Sequence, residues 1–314
     1  MFILITFYAY LNLFLNKFTP TLILSSTYFL FINPTNHFII RQIESFAFQA
    51  ILFYLIIGII SWYLKKKQTI FASLISSILI IYHICPTLYP THNNLQKNGD
   101  LTFTIAHCNV YKPNQQKEAL VRDILKHNPD IIGFQEVNTQ WSIHLEAELK
   151  ANYPYYFLQP TENVYGMALF SKYPLTDTLS LIIQNKVNIV ATVTVRNKKV
   201  TLIASHVPSP MTPRKTITRT KHLADLLYIA INQAHPVILL ADYNTVPWAS
   251  ELRDFQRNGF IPSHYGFLPT YPEWFFGAII PIDHIYHSNQ INCLNYYSIK
   301  ATGSDHYALI GQYQ

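Results

Sequence analysis

Charge is what this sequence has least of. Lys, Arg, Asp and Glu make up 13% of its 314 residues, about half of the roughly 25% usual in a soluble domain. The deficit is local. Residues 1–90 hold five basic side chains (Lys17, Arg41, Lys65, Lys66 and Lys67) against the single acid Glu44. The rest of the chain holds eighteen basic and sixteen acidic residues, a net charge of +2. The alkaline balance therefore belongs mostly to the N-terminal part, and it does not argue for a nucleic-acid-binding face. Cysteine is scarce as well. Cys85, Cys108 and Cys293 fit no spaced zinc pattern and leave an odd thiol, so all three are read as packing residues. There is no internal repeat and no low-complexity tract, which sets aside repeat architectures.

What is abundant is apolar surface, at 50% of the chain. Phe46 to Leu64 is nineteen residues without a charge. As a helix it would extend about 28 Å, close to the roughly 30 Å of a bilayer's hydrocarbon core. The lysines 65–67 follow, and Thr69 to Tyr89 is a second uncharged run. Residues 2–32 are apolar but interrupted by Asn12, Asn16, Lys17 and Pro20. Residues 1–90 are thus expected to be a membrane anchor of two to three transmembrane helices. A cleaved signal peptide is not expected, because no positive start precedes the apolar run. A buried helical hairpin of a soluble protein is the competing reading. Short Lys-rich loops stay in the cytoplasm, so residues 65–68 are expected inside and the chain after about residue 90 outside. Trp62, Tyr63 and Tyr89 suit the interfacial aromatic belts. Residues 91–100 read as a polar linker.

From 101 to 314 the pattern changes to short apolar runs alternating with amphipathic stretches. Strands are expected at 101–110, 130–137 and 165–171, with consecutive antiparallel strands within 179–207. Further strands are expected at 237–244, over PIDHIYHS (281–288), over INCLNYYSIK and at the C-terminus. Helices are expected at 115–127, 141–150 and 213–234. The polar residues gather at strand ends. Asn109, Glu136, His206, Asp242 with Asn244, Asp283, and Asp305 with His306 each close or flank an apolar run. Ligands collect where strand termini open into a crevice of an α/β protein. Glu136, Asn109 and Asp305 are hard oxygen donors with no cysteine among them, which favours Mg²⁺ or Mn²⁺ over zinc. His206 and His306 can donate to a phosphoryl group gaining charge, Asp242 can take a proton from water, and Asn244 can orient water or phosphate. The set suits metal-assisted hydrolysis of a phosphate ester.

Taken together and in order, NPDIIGFQEV, ILLADYNTVP, PIDHIYHS and GSDHYAL resemble the endonuclease/exonuclease/phosphatase (deoxyribonuclease I-like) superfamily. With the apolar N-terminal part, the chain is similar to its membrane-anchored bacterial members. The resemblance implies a four-layer α/β sandwich, two packed and mostly antiparallel sheets flanked by helices, preceded by the transmembrane helices. It implies Asn109 as the first-strand asparagine, Glu136 as a metal-binding glutamate and His206 as a phosphate contact. Asp242 and Asn244 match the acid and amide of the family's signature, although Ala241 and Tyr243 stand where the family has glycine and phenylalanine. Asp283 matches the carboxylate that orients the last histidine, and Asp305 with His306 the terminal pair.

Three readings of function follow. The first is a membrane-anchored, Mg²⁺-dependent phosphoesterase of the bacterial inner membrane, with its catalytic domain on the outer side. Nucleic acid and phospholipid headgroups are the candidate substrates, and no obligate protein partner is implied. The second is a catalytically retired binding module on the same fold. The third, a transporter, fits poorly because most of the chain lies beyond the last span. Other features are left open. Arg214, Lys215, Arg219 and Lys221 share about half the circumference of the long helix, as a phosphate-attracting patch or a solvated face. The aromatic loop 264–278 leans on a membrane, lines a substrate groove or caps the core. His107, His264, His284 and His287 have no motif support, although His107 can share a strand face with Asn109.

Overall fold

The computed structural model describes residues 16, 18–34, 37–87, 102–273 and 277–314. The expected linker 91–100, residues 2–15 of the first apolar stretch, Tyr89, and Trp274, Phe275 and Phe276 of the aromatic loop lie outside them. The chain divides into two compact units, Met1–Tyr89 with Pro210–Pro213, and Pro90–Ser209 with Arg214–Gln314.

The first unit is helical. A short helix α1 (Phe38–Glu44) meets α2 (Ala47–Tyr63) at a bend of 74°. After a turn in which Lys65 adopts φ 58, α3 (Lys67–Ile84) runs on into a 3₁₀ turn, Cys85–Thr87. On α2 the buried residues are Ala47, Ile51, Tyr54, Gly58 and Ser61, an alternating four-and-three spacing that forms one seam. On α3 the buried set includes Ala72, Ser73, Ser76, Ser77 and Ile80. A Cβ built at Gly58 would already stand 3.6 Å from Ser73 Cβ, so small residues let the two helices close. The outward faces are the reverse of a soluble helix: Leu52, Phe53, Ile56, Ile59 and Ile60 on α2, with Phe71, Leu74, Ile75 and Ile78 on α3, are exposed. Lys67–Thr87, with mean hydropathy 1.8, is long and apolar enough to cross a membrane, and α1 with α2 qualifies as one bent pair.

The second unit is built on two six-stranded sheets, and each strand shows the period of two that sorts its side chains to opposite faces. One sheet has the order β11-β12-β1-β2-β4-β3, formed by β1 (Phe103–Asn109), β2 (Ile131–Gln135), β3 (Tyr155–Gln159), β4 (Met167–Ser171), β11 (Cys293–Lys300) and β12 (Tyr307–Tyr313). The other has the order β5-β6-β7-β8-β10-β9, formed by β5 (Leu175–Ile183), β6 (Lys186–Val195), β7 (Lys198–His206), β8 (Val237–Asp242), β9 (Phe260–Pro262) and β10 (Asp283–Ser288). Pairing is antiparallel except for β1 with β2 and β7 with β8.

Three apolar layers follow from the alternation. Ile105, Ile131, Leu169, Leu202, Leu240 and Ile285 fill the space between the sheets. Their neighbours Ala106, Ile132 and Phe170 turn outward onto α4 (Lys117–Leu125) and α5 (Thr139–Leu149), meeting Leu120, Ile124, Trp141 and Leu145. On the far side Ile203, Leu239 and Tyr286 pack on Leu223 and Leu226 of α6 (Pro213–Ile231) and Phe255 of α7 (Ser250–Arg257). The result is the four-layer α/β sandwich expected from the sequence. Periodicity does not mark β3, α7 or β9. The edge strand β3 is largely exposed along Tyr155 and Tyr156, and the other two are short.

Candidate active site

The strand arrangement brings the polar termini to one end. β1 and β2 run parallel, so Asn109 and Gln135 are register partners, with Glu136 one residue on. β12 runs antiparallel to β1, so Asp305 and His306, just before its first residue, arrive at the same end. In the second sheet His206 pairs with Asp242 across β7 and β8, and Asp283 pairs with Asp242 across β8 and β10. Both sheets therefore deliver their polar ends to one crevice.

Asn109 sits between the two sheets' carboxylates. Its Nδ2 donates to Glu136 Oε1 at 3.2 Å and to Asp242 Oδ2 at 3.3 Å. Its Oδ1 accepts from Tyr111 N at 2.9 Å. Glu136 also accepts from Lys112 N at 3.0 Å and holds φ 63. A left-handed non-glycine residue costs of order 1–3 kcal/mol and persists only where its surroundings enforce it. Asn244 shares this conformation at φ 48. Its backbone N–H donates to Asp242 Oδ1 at 2.9 Å, while its Nδ2 is turned away, onto Val207 O at 2.9 Å.

Asp242 is 1% exposed. Its Oδ2 lies 3.4 Å from His206 Nε2 and 3.8 Å from His306 Nε2. Burial and the neighbouring Asp283 raise its carboxyl above the usual range, against the two histidines. Asp283 goes the other way. Burial pushes it up, but the His306 charge and the hydrogen bonds from His107 and His306 outweigh that and hold it well below the usual carboxylate range. His306 Nδ1 donates to Asp283 Oδ2 at 2.7 Å. Burial lowers His306, yet Asp283, Asp242 and Asp305 together push it up to about 10. The ring is therefore an imidazolium at neutral pH, with its Nε2–H directed into the crevice.

The fold also recruits residues that carry no motif. Gln135 Nε2 donates to His107 Nδ1 at 3.2 Å, which leaves the His107 proton on Nε2, 3.4 Å from Asp283 Oδ1. Asp283 is thus clamped by an imidazole on each oxygen. The signal in the sequence was weak: two residues before Asn109, His107 falls on the same face of β1. His206 Nδ1 donates to Val164 O at 2.8 Å, so its Nε2 faces Asp242. The loop bearing Val164 is tied down by Thr161 N donating to Val137 O and by Gly166, where an added Cβ would collide with that carbonyl. Ser304 Oγ donates to Asn109 O at 2.7 Å and accepts from His306 N at 3.0 Å. Tyr165 packs on His206 with ring centroids 5.3 Å apart, and Tyr271 on His306 at 4.7 Å. Within the aromatic loop, Tyr271 therefore lies at the site. Arg219 belongs neither to a solvated face nor to an exposed phosphate-attracting patch. It is 1% exposed, with NH2 at 3.3 Å from Glu251 Oε1 and NH1 donating to Asn244 O at 3.1 Å. It braces the loop after Asp242 instead.

Two groupings could hold a cation. Asp242, Asp283 and His306 each bring one ligand atom to within 4.8 Å of the others. A cation there would have to displace the proton between His306 and Asp283 and sit against an imidazolium, which is unfavourable. Glu136 and Asp305 suit it better. Among the described residues Asp305 Oδ1 is buried with no hydrogen-bond donor, and it lies 3.9 Å from His306 Nε2. Its carboxyl is pushed up to about 6 by burial and by the charges of Glu136 and Asp242, against His306. A buried carboxylate oxygen without a hydrogen bond, raised by the charge of a second carboxylate, is a group that a hard divalent cation relieves.

The chain belongs to the Endonuclease/Exonuclease/phosphatase family, whose model matches residues 106–306. No curated protein matches it. Similar solved structures include Danio rerio TDP2 in complex with a single-strand DNA product (16% identity, 68% of this chain and 100% of that one, TM-score 0.58). The catalytic domain of human Nocturnin is similar at 16% identity, over 69% and 95% of the chains, with TM-score 0.57. A mannosyl-6-phosphatase of Bacteroides thetaiotaomicron is similar at 15% identity, over 68% and 99%, with TM-score 0.56. At these identities the likeness establishes the shared fold.

Proposed function

We propose that this protein is a divalent-metal-dependent phosphoesterase, tethered to the bacterial inner membrane by its N-terminal helices with the catalytic domain on the outer side. The observation that carries the reading is the meeting of Asp242 with two imidazoles, one of them an imidazolium held by Asp283, next to the carboxylates Glu136 and Asp305. Family membership points to nuclease or phosphatase chemistry, which is phosphate-ester hydrolysis in either case. Asp242, its pKa raised by burial, is poised to take a proton from an attacking water. His306 Nε2–H stabilises charge building on the phosphoryl oxygens, His206 does so when its Nε2 also carries a proton, and both rings are pre-oriented by bonds on their other nitrogens. Asn109 spaces the Glu136 and Asp242 carboxylates. Mg²⁺ or Mn²⁺ held by Glu136 and Asp305 would supply Lewis-acid polarisation of the phosphate and charge neutralisation of the leaving oxygen.

Three features support the tether: the exposed apolar faces of α2 and α3, their small-residue seam, and the lysines between them. The deciding experiment assays the full-length protein in detergent on DNA, RNA and sphingomyelin liposomes, with Mg²⁺ and with EDTA. Hydrolysis that EDTA abolishes supports the assignment. Absence of turnover on every phosphate ester refutes it. Recovery of the protein in the soluble fraction after cell lysis would refute the tether.

A further inference from the structure

The strand end beside His206 carries a lysine, Lys186, that takes no part in the hydrolysis proposed above. The β5–β6 hairpin turns through Gln184 and Asn185, both left-handed at φ 47 and 60, and delivers Lys186 at the head of β6. Lys186 Nζ donates to Gln184 O at 3.2 Å and stands 4.6 Å from the centroid of the Tyr165 ring. That ring is the one packed on His206 at 5.3 Å. The ammonium therefore lies at most about 10 Å from the imidazole that faces Asp242. A carbonyl and a ring face are its partners, and no carboxylate among the described residues pairs with it. Partial burial, and the like charge of Lys215 in the first turn of α6, both disfavour its charged form. A half-buried ammonium without a carboxylate partner among the described residues is a situation that an anion from outside would relieve.

The position is also built rather than loose. Gln184 Nε2 donates to Asp225 Oδ2 of α6 at 2.8 Å. Asn188 Nδ2 donates to Lys186 O at 2.9 Å, while its Oδ1 accepts from Ser205 Oγ at 2.6 Å. Ser205 precedes His206 on β7, so one buried amide fixes the backbones of Lys186 and His206 relative to each other. Such fixed spacing between a reaction centre and a charge is what lets binding energy orient a substrate.

We propose that Lys186, seated on Tyr165 beside Lys215, is a specificity-determining residue that binds a second phosphate of the substrate next to the one hydrolysed, as a nucleic-acid strand presents. The proposal rests on the phosphoesterase reading above. It separates the two candidate substrates. Neighbouring phosphates of a strand are anions within reach of such a span. A choline headgroup instead carries a quaternary ammonium that Lys186 repels, and the Tyr165 face that could receive it is already occupied.

The test uses the full-length protein in detergent and the variants Lys186→Gln and Lys186→Arg. Calorimetric titration in EDTA compares thymidine 3′,5′-bisphosphate with thymidine 5′-monophosphate, so that binding is read without turnover. The wild type is expected to prefer the bisphosphate by about tenfold, the worth of one charge-assisted hydrogen bond. Lys186→Gln should bring that ratio close to one, and Lys186→Arg should retain most of it. With Mg²⁺, a thymidine dinucleotide bearing a terminal 5′-phosphate should be favoured over the unphosphorylated one through KM, and the preference should vanish in Lys186→Gln. An equal ratio in wild type and Lys186→Gln overturns the proposal, as does a wild-type preference for sphingomyelin vesicles over both dinucleotides. If wild type hydrolyses nothing, the phosphoesterase reading falls, while the titrations still decide the subsite.

Discussion

Asp242 and Asp283 are cross-strand partners on β8 and β10, and both are almost fully buried. Like charges placed opposite each other in a sheet are destabilising. The fold resolves the conflict by unequal pairing with imidazoles. Asp283 has an imidazole on each oxygen and stays ionised, whereas Asp242 is raised. Two carboxyls driven apart in this way take different roles: one orients and neutralises, the other accepts a proton.

Asp283→Asn tests the orienting role. The substitution keeps the shape but removes the charge that holds His306 as an imidazolium. Turnover with Mg²⁺ should fall on the order of 10²–10⁴-fold, and the His306 resonance in a ¹⁵N-histidine NMR titration should move to a lower pKa. An unmoved titration would refute this account of His306.

Asp242→Ala should nearly abolish metal-dependent turnover, again by on the order of 10²–10⁴, without unfolding the domain. Circular dichroism melts alongside the assay separate the two effects. Wild-type activity in this variant would remove Asp242 from the chemistry.

Glu136→Gln addresses the cation. Removing one of the two proposed carboxylate ligands should weaken Mn²⁺ binding by at least about tenfold in a calorimetric titration, since hard cations are held by carboxylate charge. The metal-free protein should melt no lower than wild type, because the repulsion that raises Asp305 is relieved. Unchanged Mn²⁺ affinity would move the metal site elsewhere.

His222 predicts a pH dependence of stability. It is buried, with Nε2 at 3.1 Å from Asn188 Oδ1 and Ser205 Oγ and with Nδ1 lacking a partner. Burial, then the charges of His206 and Lys186, lower it to about 3. The unfolded chain, near 6.5, binds the proton first. This contribution to stability is therefore complete above pH 6.5 and is lost as pH falls towards 3, at up to about 1.4 kcal/mol per pH unit. Urea midpoints measured from pH 7 to pH 5 should fall more steeply for wild type than for His222→Gln. Parallel curves would contradict the sign.

Gly166→Ala should disturb the crevice from outside. The new Cβ collides with Val137 O, one residue from Glu136, on the loop whose Val164 O holds His206. Overpacking of this kind costs about 1–3 kcal/mol. A lower melting temperature together with a reduced kcat is the expected result, and an unchanged pair of values would mean the loop is not coupled to the site.

The residues of the site were legible because each interrupts an apolar strand with a group that a core strand has no reason to carry. Asn109, Glu136, His206, Asp242, Asp283, Asp305 and His306 all stood out for this reason. Their register did not, since which strands become neighbours depends on pairings between segments far apart in the chain. His107 has no motif support in the sequence because its partner Asp283 lies on the other sheet. The bracing role of Arg219 is not legible in the sequence because Glu251 and Asn244 come from elements folded against it later in the chain.

By itself, then, the sequence determined the layered α/β class, the apolar N-terminal part and the identity of most of the polar strand ends, since these follow from local periodicity and from the solvation cost of polar groups. Only the tertiary structure decided which carboxylate is ionised, which imidazole is charged and which residues brace them. Those properties are set by burial and by neighbours brought from distant positions, and neither exists until the two sheets have closed on each other.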